Sequence, residues 1–277
     1  MLIMSILVIP NISAQTHEFS AYLGGGLSTL RYKPSLGDRS GRMGADFGVG
    51  YTNLRSIERV TGTETIYRQQ WGIHTGIGLS WYNAKANLNN VTAVTPDKRD
   101  SEGDRFDLHT KLSGYNEKQN TLYLNIPAMA LFQIDRYYAM GGFKFGIPLN
   151  RKYKSKDATL TNEAWYIDLE NWAKNQTFAG YGTFGPKKFD GQLDLGVMVM
   201  LALEAGATWR VSSKLTLYTG VYFDYGLNNV AKGKQKDFIN YDARNARDFT
   251  TNSVVSSFTD KVHMMAFGVK ARIAMVK

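Results

Sequence analysis

A serine, an aspartate and a histidine lie close together near the C-terminus, and these residue types can form a hydrolase site. Ser257, Asp260 and His263 would supply a nucleophile, an orienting acid and a general base for hydrolysis of a lipid or of lipid A. The sequence contains no Gly-x-Ser-x-Gly nucleophile elbow, and all three residues are equally ordinary on a protein surface. We therefore predict that the protein is not an enzyme, with lipid hydrolysis as the alternative.

A cluster of acidic residues raises the alternative of a calcium site. Its spacing does not match an EF-hand loop, and Lys98, Arg99 and Arg105 interrupt it. A solvated charged loop is the simpler interpretation, so the sequence predicts no bound metal and no cofactor. The five acids are Asp97, Asp100, Glu102, Asp104 and Asp107.

One periodic stretch, Tyr67–Tyr82, indicates the type of secondary structure that positions such groups. From Trp71 to Trp81 most large apolar side chains fall on alternate positions, and glycines, a serine and a histidine lie between them. A period of two indicates a strand with unlike faces. The face of small residues suits the crowded interior of a barrel. The two indoles would stand about 25 Å apart along its axis, the height of an outer-membrane apolar band.

Similar alternation recurs along the chain and predicts about eight strands, each long enough to cross a bilayer when tilted. An even number of antiparallel strands closes into an up-and-down barrel. No run of about 18 apolar residues exists, which excludes a transmembrane helix. The predicted strands are Phe19–Leu30, Met43–Tyr51, Tyr67–Tyr82, Leu122–Phe132, Tyr137–Ile147, Leu193–Trp209, Leu215–Tyr225 and His263–Ile273.

The connections alternate in length, as they do in barrels with short periplasmic turns and long extracellular loops. Tight turns are predicted at Asp135–Arg136 and Ser212–Ser213, and a less regular one at Thr61–Thr63. Within the third long connection, Asn162–Lys174 has apolar residues spaced for a short amphipathic helix. The four long connections are Tyr32–Arg42, Asn83–Lys118, Asn150–Asp190 and Asn228–Lys261.

If the large apolar side chains face lipid, the ionisable residues of the opposite face lie in the lumen. Acids and bases are nearly balanced there, and the interior of an eight-stranded barrel is narrow, so we predict an ion-pair network that plugs or constricts it. A gated pore or a small-ligand site is the alternative. The lumen residues are Asp46, His74, Lys144, Asp194, Glu204, Asp224, Lys270 and Arg272. The predicted interfacial aromatic anchors are Tyr51, Trp71, Trp81, Phe132 and Trp209.

The composition narrows the class of protein further. The 277 residues are 43% hydrophobic and 13% aromatic, which is ample for a folded structure. The net charge of +9 is spread with acids through the connections and accompanies no recognition motif, so we predict no nucleic-acid binding. A basic exterior suits anionic lipopolysaccharide instead. The absence of cysteine excludes disulfides, thiolate zinc sites and a lipoprotein anchor.

The segment Met1–Ala14 is apolar and ends in small residues, as in a secretory signal peptide cleaved after Ala14. The usual Lys or Arg at its start is missing, as expected if the true start lies upstream. A buried first strand is the alternative interpretation. We therefore predict a signal peptide over residues 1–14, a single barrel domain over residues 15–277, and export to a bacterial outer membrane.

One hairpin carries a family resemblance. The stretch Tyr123–Pro127, an apolar run and a tight turn into Tyr137–Gly142 together resemble the PorT-like outer-membrane β-barrel proteins of Bacteroidetes. Ser13-Ala14-Gln15 is similar to a signal-peptide end common in that group. Asn125 stands where Glu is frequent, and the chain ends Met275-Val276-Lys277 without the usual terminal aromatic residue. The resemblance implies an outer-membrane location and a barrel fold, and it suggests a role in a secretion complex.

These observations predict an all-β, up-and-down transmembrane barrel with a non-enzymatic, structural or binding role exerted through its long extracellular loops. The alternatives are a small gated porin-like channel, a PorT-like secretion component and a soluble lipocalin-like carrier. A carrier would need an apolar interior, which the glycine-rich second face argues against. The expected partners are outer-membrane lipid and lipopolysaccharide, the barrel assembly machinery, and an envelope protein or external ligand at the loops.

Overall fold

A computed structural model of the protein describes residues 11–61 and 64–277, with side chains for residues 15–56 and 69–277. The strands are β1 (Asn11–Arg31), β2 (Asp38–Thr61), β3 (Glu64–Leu88), β4 (Val91–Arg99), β5 (Arg105–Ser113), β6 (Tyr115–Ile134), β7 (Tyr137–Ser155), β8 (Ala158–Tyr166), β9 (Asn171–Ala173), β10 (Gly182–Lys187), β11 (Asp190–Gln192), β12 (Met198–Arg210), β13 (Leu215–Gly226), β14 (Ile239–Asn240), β15 (Thr250–Thr251) and β16 (His263–Val276). Short helical turns span Thr177–Ala179, Ala243–Asn245 and, as helix α1, Val254–Ser257.

Eight long strands form a closed antiparallel ring. Their spatial order is β7, β12, β13, β16, β1, β2, β3 and β6, and β6 pairs with β7 to complete the circuit. A closed ring has no edge strand, which matters in a bilayer because lipid offers no partner to a free N–H or C=O. The predicted fold class is therefore confirmed. No helix in the described ranges is long and apolar enough to span a membrane.

Alternate side chains of the ring point outward and inward because successive residues of a strand face opposite sides. The outward positions form a belt of exposed apolar side chains around the barrel, opposite the buried lumen positions. The belt matches the hydrocarbon core of a bilayer. Among its most exposed members are Leu23, Val49, Ile73, Val221 and Val269.

One end of the barrel carries tight turns. Asp135 adopts a left-handed conformation, with φ of 52°, in the two-residue turn between β6 and β7. Val211 and Ser212 donate backbone hydrogen bonds to Leu215 in the turn between β12 and β13. Both turns were predicted from the sequence. In the third predicted turn, Gly62 and Thr63 lie outside the described residues, as do Met1–Pro10 of the predicted signal peptide.

At the other end, several strands run well beyond the apolar belt. The strands β3, β6 and β7 continue to Leu88, Tyr115 and Ser155, inside segments predicted to be loops. The first connection is also short, because β2 begins at Asp38. Side chains still alternate between inward and outward positions in these extensions. Above the belt, however, the outward positions carry polar residues instead of apolar ones. An apolar pattern therefore marks the membrane-spanning part of each strand and misses the rest.

The connections at this end fold together into one body, the cap, formed by residues 89–114, 156–197 and 227–262. A sheet in the order β10, β8, β5, β4, with β9 beside β8, lies across it. Phe106 on its inner face is fully buried and meets Tyr241 of the last connection edge-on at 5.2 Å between ring centroids. The same apolar cluster continues down to Met200 and Tyr222 in the barrel, so cap and upper lumen share one core.

The helix predicted over Asn162–Lys174 is absent from this part of the described chain. The segment instead forms most of β8, a turn and β9, and Trp165 pairs in register with Trp172. Alternation of buried and partly exposed residues along β8 follows its pairing with β5. That partner is about 50 residues away in the sequence, and the local spacing of apolar residues could not reveal it.

Glycines in the lumen make room for large aromatic side chains. Tyr22, Gly48 and Gly78 are consecutive register partners across β1, β2 and β3. The Tyr22 hydroxyl lies over both glycines, since a Cβ atom at Gly48 would sit 2.7 Å from it and one at Gly78 would overlap it. The period-two glycines are therefore a packing requirement of this interior.

The substitution Gly78→Ala should destabilise the barrel by about 1–3 kcal/mol, because the added methyl group collides with the buried Tyr22 hydroxyl. Tyr22→Phe removes that oxygen, so the same alanine should cost less in a Tyr22→Phe background. Urea unfolding in lipid vesicles, followed by the gel shift between folded and boiled protein, measures both costs. Equal costs in the two backgrounds would contradict this packing.

Candidate functional site

The middle of the lumen holds a buried ion-pair network of two lysines and three acids. The Lys144 ammonium lies 2.6 Å from Asp224 and 3.3 Å from Asp46. The Lys270 ammonium lies 3.3 Å from both Asp46 and Glu204. All five side chains are nearly inaccessible to solvent. Because an isolated buried charge is costly, this mutual pairing is the condition under which the groups can occupy the interior.

Glycines again explain why these groups meet. Gly24 of β1 stands in register between Asp46 of β2 and Lys270 of β16. On the other side of Lys270, the register partner is Gly220 of β13. With no side chain at either neighbour, the lysine can lie across the sheet surface and reach acids on β2 and β12. The charged layer therefore depends on the sequence positions of small residues as much as on those of charges.

A second layer lies nearer the tight turns. The Arg272 guanidinium stacks over the Tyr218 ring at 4.1 Å and lies 3.3 Å from Nδ1 of His74. The same imidazole nitrogen is 2.8 Å from the Thr52 hydroxyl. The Tyr218 hydroxyl donates to both carboxylate oxygens of Glu18, at 2.9 and 3.1 Å. Arginine, aromatic ring and carboxylate thus form one connected set.

Little space remains between the layers. Arg272 Nε and Nη2 have no hydrogen-bond partner among the described protein groups. Arg272 also lines a cavity of about 10 Å³, which is room for roughly a single water molecule. The cavity is lined by Tyr22, His74, Pro127, Met129, Lys144, Glu204, Lys270 and Arg272.

One residue assigned to the lumen from the sequence lies elsewhere. Asp194 precedes β12, which begins only at Met198, and its carboxylate pairs with Lys236 of the cap at 2.7 Å. The apolar alternation through Leu193 and Leu195 suggested a membrane strand, but both side chains are buried in the cap core. The other seven predicted residues line the barrel interior and are buried there.

Sequence reasoning missed Glu18. It lies two positions before Ser20 on the lumen face of β1, and it is 4% exposed. The apolar pattern begins at Phe19, so the predicted strand does not include the inward-facing residue that precedes it. Continuing the period of two by one step toward the N-terminus would have found this acid.

The predicted aromatic anchors all lie on the outer surface of the barrel. Trp71 and Phe132 are register partners on β3 and β6 near the tight turns, and Arg55 stacks over the Trp71 ring at 5.4 Å. The Tyr51 hydroxyl and Nδ1 of His17 share a hydrogen bond of 2.6 Å. The Trp209 indole N–H donates to the Thr219 hydroxyl. Trp81 lies at the cap end of the belt, 5.4 Å from the Phe47 ring.

The residues considered for catalysis do not form a triad. Ser257 belongs to helix α1 and is buried in the cap, and His263 Nδ1 faces the Gly226 carbonyl at 3.1 Å. Among the described residues, no hydrogen bond joins the side chains of Ser257, Asp260 and His263. The geometry supplies no activated serine at this rim.

Within the acidic cluster, Asp100 stabilises a turn of the backbone. The Asp100 carboxylate accepts backbone hydrogen bonds from Glu102, Gly103 and Asp104, and also accepts one from the Tyr166 hydroxyl at 2.8 Å. These donors lower the pKa of Asp100 against the opposing effect of burial, which is the largest influence. No group of three or more potential metal ligands occurs in the described part of the chain.

The outer face of the cap sheet exposes an aromatic patch, defined here as His109, Glu163, Trp165, Trp172 and Lys174. The Trp172 ring lies 4.9 Å from the His109 ring and 5.2 Å from the Trp165 ring, measured between centroids. Lys174 stacks over Trp172 at 5.3 Å and pairs with Glu163 at 3.1 Å. Trp172 is 40% exposed, so the patch offers stacking surface and charge together.

These features define a class of protein: a transmembrane β-barrel with a filled interior and a folded cap. The chain matches the family described as outer membrane protein beta-barrel domain over residues 14–232, and it belongs to that family. It is therefore an outer-membrane protein. Strand β16 lies beyond the matched residues. Among proteins of curated function, none matches the chain.

At the base of the cap, Glu117 of β6 is fully buried beneath helix α1. Its carboxylate accepts hydrogen bonds from Gln119 at 2.8 Å and from the Tyr115 hydroxyl and the Val254 backbone at 3.0 Å. Burial raises the pKa of Glu117 from its ordinary value of 4.5 to about 7, although these donors oppose the shift. The folded protein therefore favours the protonated carboxyl group below about pH 7.

Because the folded pKa of Glu117 exceeds the unfolded one, the cap should lose stability as pH rises from about 4.5 to about 7. The loss should be at most about 3 kcal/mol. Hydrogen exchange of the amides in residues 238–258, corrected for intrinsic rates, should show weaker protection at pH 8 than at pH 5. Glu117→Gln should flatten this difference, and Glu163→Gln, at a partly exposed position, should not. An unchanged pH dependence in Glu117→Gln would contradict this assignment.

Proposed function

We propose that the protein is a non-enzymatic outer-membrane barrel that anchors a rigid extracellular binding domain. The observation that carries this proposal is the single apolar core shared by the cap and the upper lumen. Because β3, β6 and β7 run unbroken from the membrane into the cap, a surface on the cap is held firmly relative to the bilayer. Such a construction suits recognition of a partner outside the cell.

The same core argues for a closed lumen. Tyr82, Tyr123 and Met200 fill the upper barrel with almost no exposed surface, and the ion-pair network fills its middle. Leu131 and Tyr138 pack in a separate apolar cluster toward the turn end. Because these three successive layers are buried, we expect no continuous aqueous path through the lumen, which disfavours the alternative of a small gated porin-like channel.

The aromatic patch is the binding surface that we propose. The exposed Trp172 and the partly exposed Trp165 supply large rigid contact areas, and Glu163 and Lys174 add charged groups at the border of the patch. The occupant would be an external ligand or another envelope protein. The PorT-like hairpin at Tyr123–Gly142 favours a protein partner, as in a secretion complex.

The route to the membrane is part of the same proposal. Residues Met1–Ala14 would direct export and be removed, and the barrel assembly machinery would insert the strands. Lipopolysaccharide would surround the extracellular half of the barrel. Lipid hydrolysis is disfavoured because Ser257 and His263 have no shared hydrogen bond and Ser257 is buried.

Purified protein in planar lipid bilayers should show no discrete conductance steps at neutral pH, because the apolar and charged layers together close the lumen. A conducting porin inserted under the same conditions provides the positive control. Folded protein must be verified by the gel shift on boiling. Regular openings from verified protein would favour the channel alternative over an anchor.

A photo-crosslinking residue at position 172, activated on intact cells, should yield a discrete adduct of higher mass, because this position lies in the centre of the aromatic patch. The same residue at position 234, exposed on the last cap connection, serves as the matched control. Trp165→Ala should weaken the adduct at position 172. No adduct, or equal adducts at both positions, would contradict a binding role for this patch.

A further inference from the structure

Three lysines lie side by side on the outer surface of the barrel. Lys118 of β6 is the direct register partner of Lys85 on β3 and of Lys154 on β7. Their chain neighbours are buried, so all three side chains point outward. Like charges placed directly opposite one another on antiparallel strands destabilise a sheet. Within the protein alone, this row is therefore an unfavourable arrangement.

A groove adjoins the row and adds further cations. Lys152 lies two residues before Lys154 on β7, and its register partner on β6 is Asn120. The register partner of Asn120 on β3 is Asn83. The groove has a volume of about 590 Å³. Lys118 and Lys154 of the row line this groove, together with Arg42, Met43 and Asn150.

No anion in the described side chains neutralises this cluster. Asp190 is the register partner of Lys154, yet no carboxylate there lies within ion-pair distance of any of the five basic groups. Other lysines of the cap with exposed side chains, such as Lys174 and Lys236, do have acidic partners. The five basic groups are Arg42, Lys85, Lys118, Lys152 and Lys154.

The height of the groove selects the kind of anion. Trp81 marks the extracellular edge of the apolar belt, and Lys85 lies four residues further along the same strand. At about 3.3 Å per residue and a tilt near 40°, the lysine row stands roughly 10 Å above that edge, in the lipid headgroup layer. Met43, which is 72% exposed, provides apolar contact at the lower side of the groove.

The feature is confined to one side of the barrel. At the corresponding end of β1, Arg31 donates to the Tyr225 hydroxyl at 2.9 Å and stacks over the same ring. Its register partner on β16 is His263, which faces the Gly226 carbonyl. A general basic surface would not concentrate its charges on β2, β3, β6 and β7.

We propose that this groove binds the phosphate groups of the glycolipid in the outer leaflet, lipid A. The lysines and Arg42 supply charge to the phosphates, and the carboxamides of Asn83, Asn120 and Asn150 supply donors and acceptors to the sugar. The position beside the apolar belt favours a membrane-embedded phosphate over a soluble one. The assignment to the outer leaflet rests on the extracellular orientation in the proposed function, and the site is independent of the ligand proposed for the cap.

The test uses the full chain in detergent, with native mass spectrometry of bound lipid A. The triple variant Lys118→Gln, Lys152→Gln, Lys154→Gln should bind bisphosphorylated lipid A at least about tenfold more weakly than the wild type. The matched control, Lys111→Gln, Lys234→Gln, Lys261→Gln, removes the same charge from exposed positions elsewhere and should bind normally. Dephosphorylated lipid A should bind the wild type as weakly as phosphorylated lipid A binds the groove variant.

A stability measurement separates loss of binding from loss of fold. Without lipid A, the groove variant should be at least as stable as the wild type, because it relieves repulsion between paired lysines. Added lipid A should raise the unfolding temperature of the wild type and not that of the variant. Equal losses of binding in both triple variants, or insensitivity to dephosphorylation, would overturn the site. Displacement of lipid A by millimolar inorganic phosphate would overturn the lipid as its occupant.

Discussion

The hydrocarbon core of a bilayer offers no hydrogen-bond partner to a peptide group, and this constraint organises the protein. The sheet must close, and pairing of β6 with β7 and of β1 with β16 closes it. Closure divides every strand into a lipid face and a lumen face. With eight strands, the interior is only wide enough for side chains. The alternation of large apolar residues with glycine, tyrosine and charged residues follows from that narrow geometry.

A narrow interior must be filled by groups that satisfy one another. Lys144 and Lys270 are each shared between two acids, and Gly24 leaves the space through which Lys270 reaches Asp46. Above this layer, the same strands leave the membrane and their inward faces become the core of the cap. The filled barrel and the cap are thus one packed body, which moves the surfaces available for recognition to the outside of the molecule.

Two outer surfaces stand out because nothing within the described protein explains their composition. On the cap, the Trp165 and Trp172 rings contact each other at a tilt where solvent can reach them. At the headgroup level, Lys85, Lys118 and Lys154 repel one another across two strand pairs. The exposed tryptophan surface is unfavourably solvated in the isolated protein, and repulsion within the lysine row lowers its stability. Both features become favourable with a partner of complementary chemistry. In the orientation that we propose, one surface faces the external medium and the other faces the outer leaflet.

The sequence alone determined the barrel, the two faces of each membrane strand, the turn at Asp135 and every predicted lumen charge except Asp194. These features depend on a period of two between near neighbours, which is visible without knowing the partner strand. Only the tertiary structure decided that Trp165 and Trp172 belong to paired strands, that Asp194 lies in the cap, and that three lysines align. Those outcomes depend on which distant segments pair and in which register, and local alternation carries no information about either.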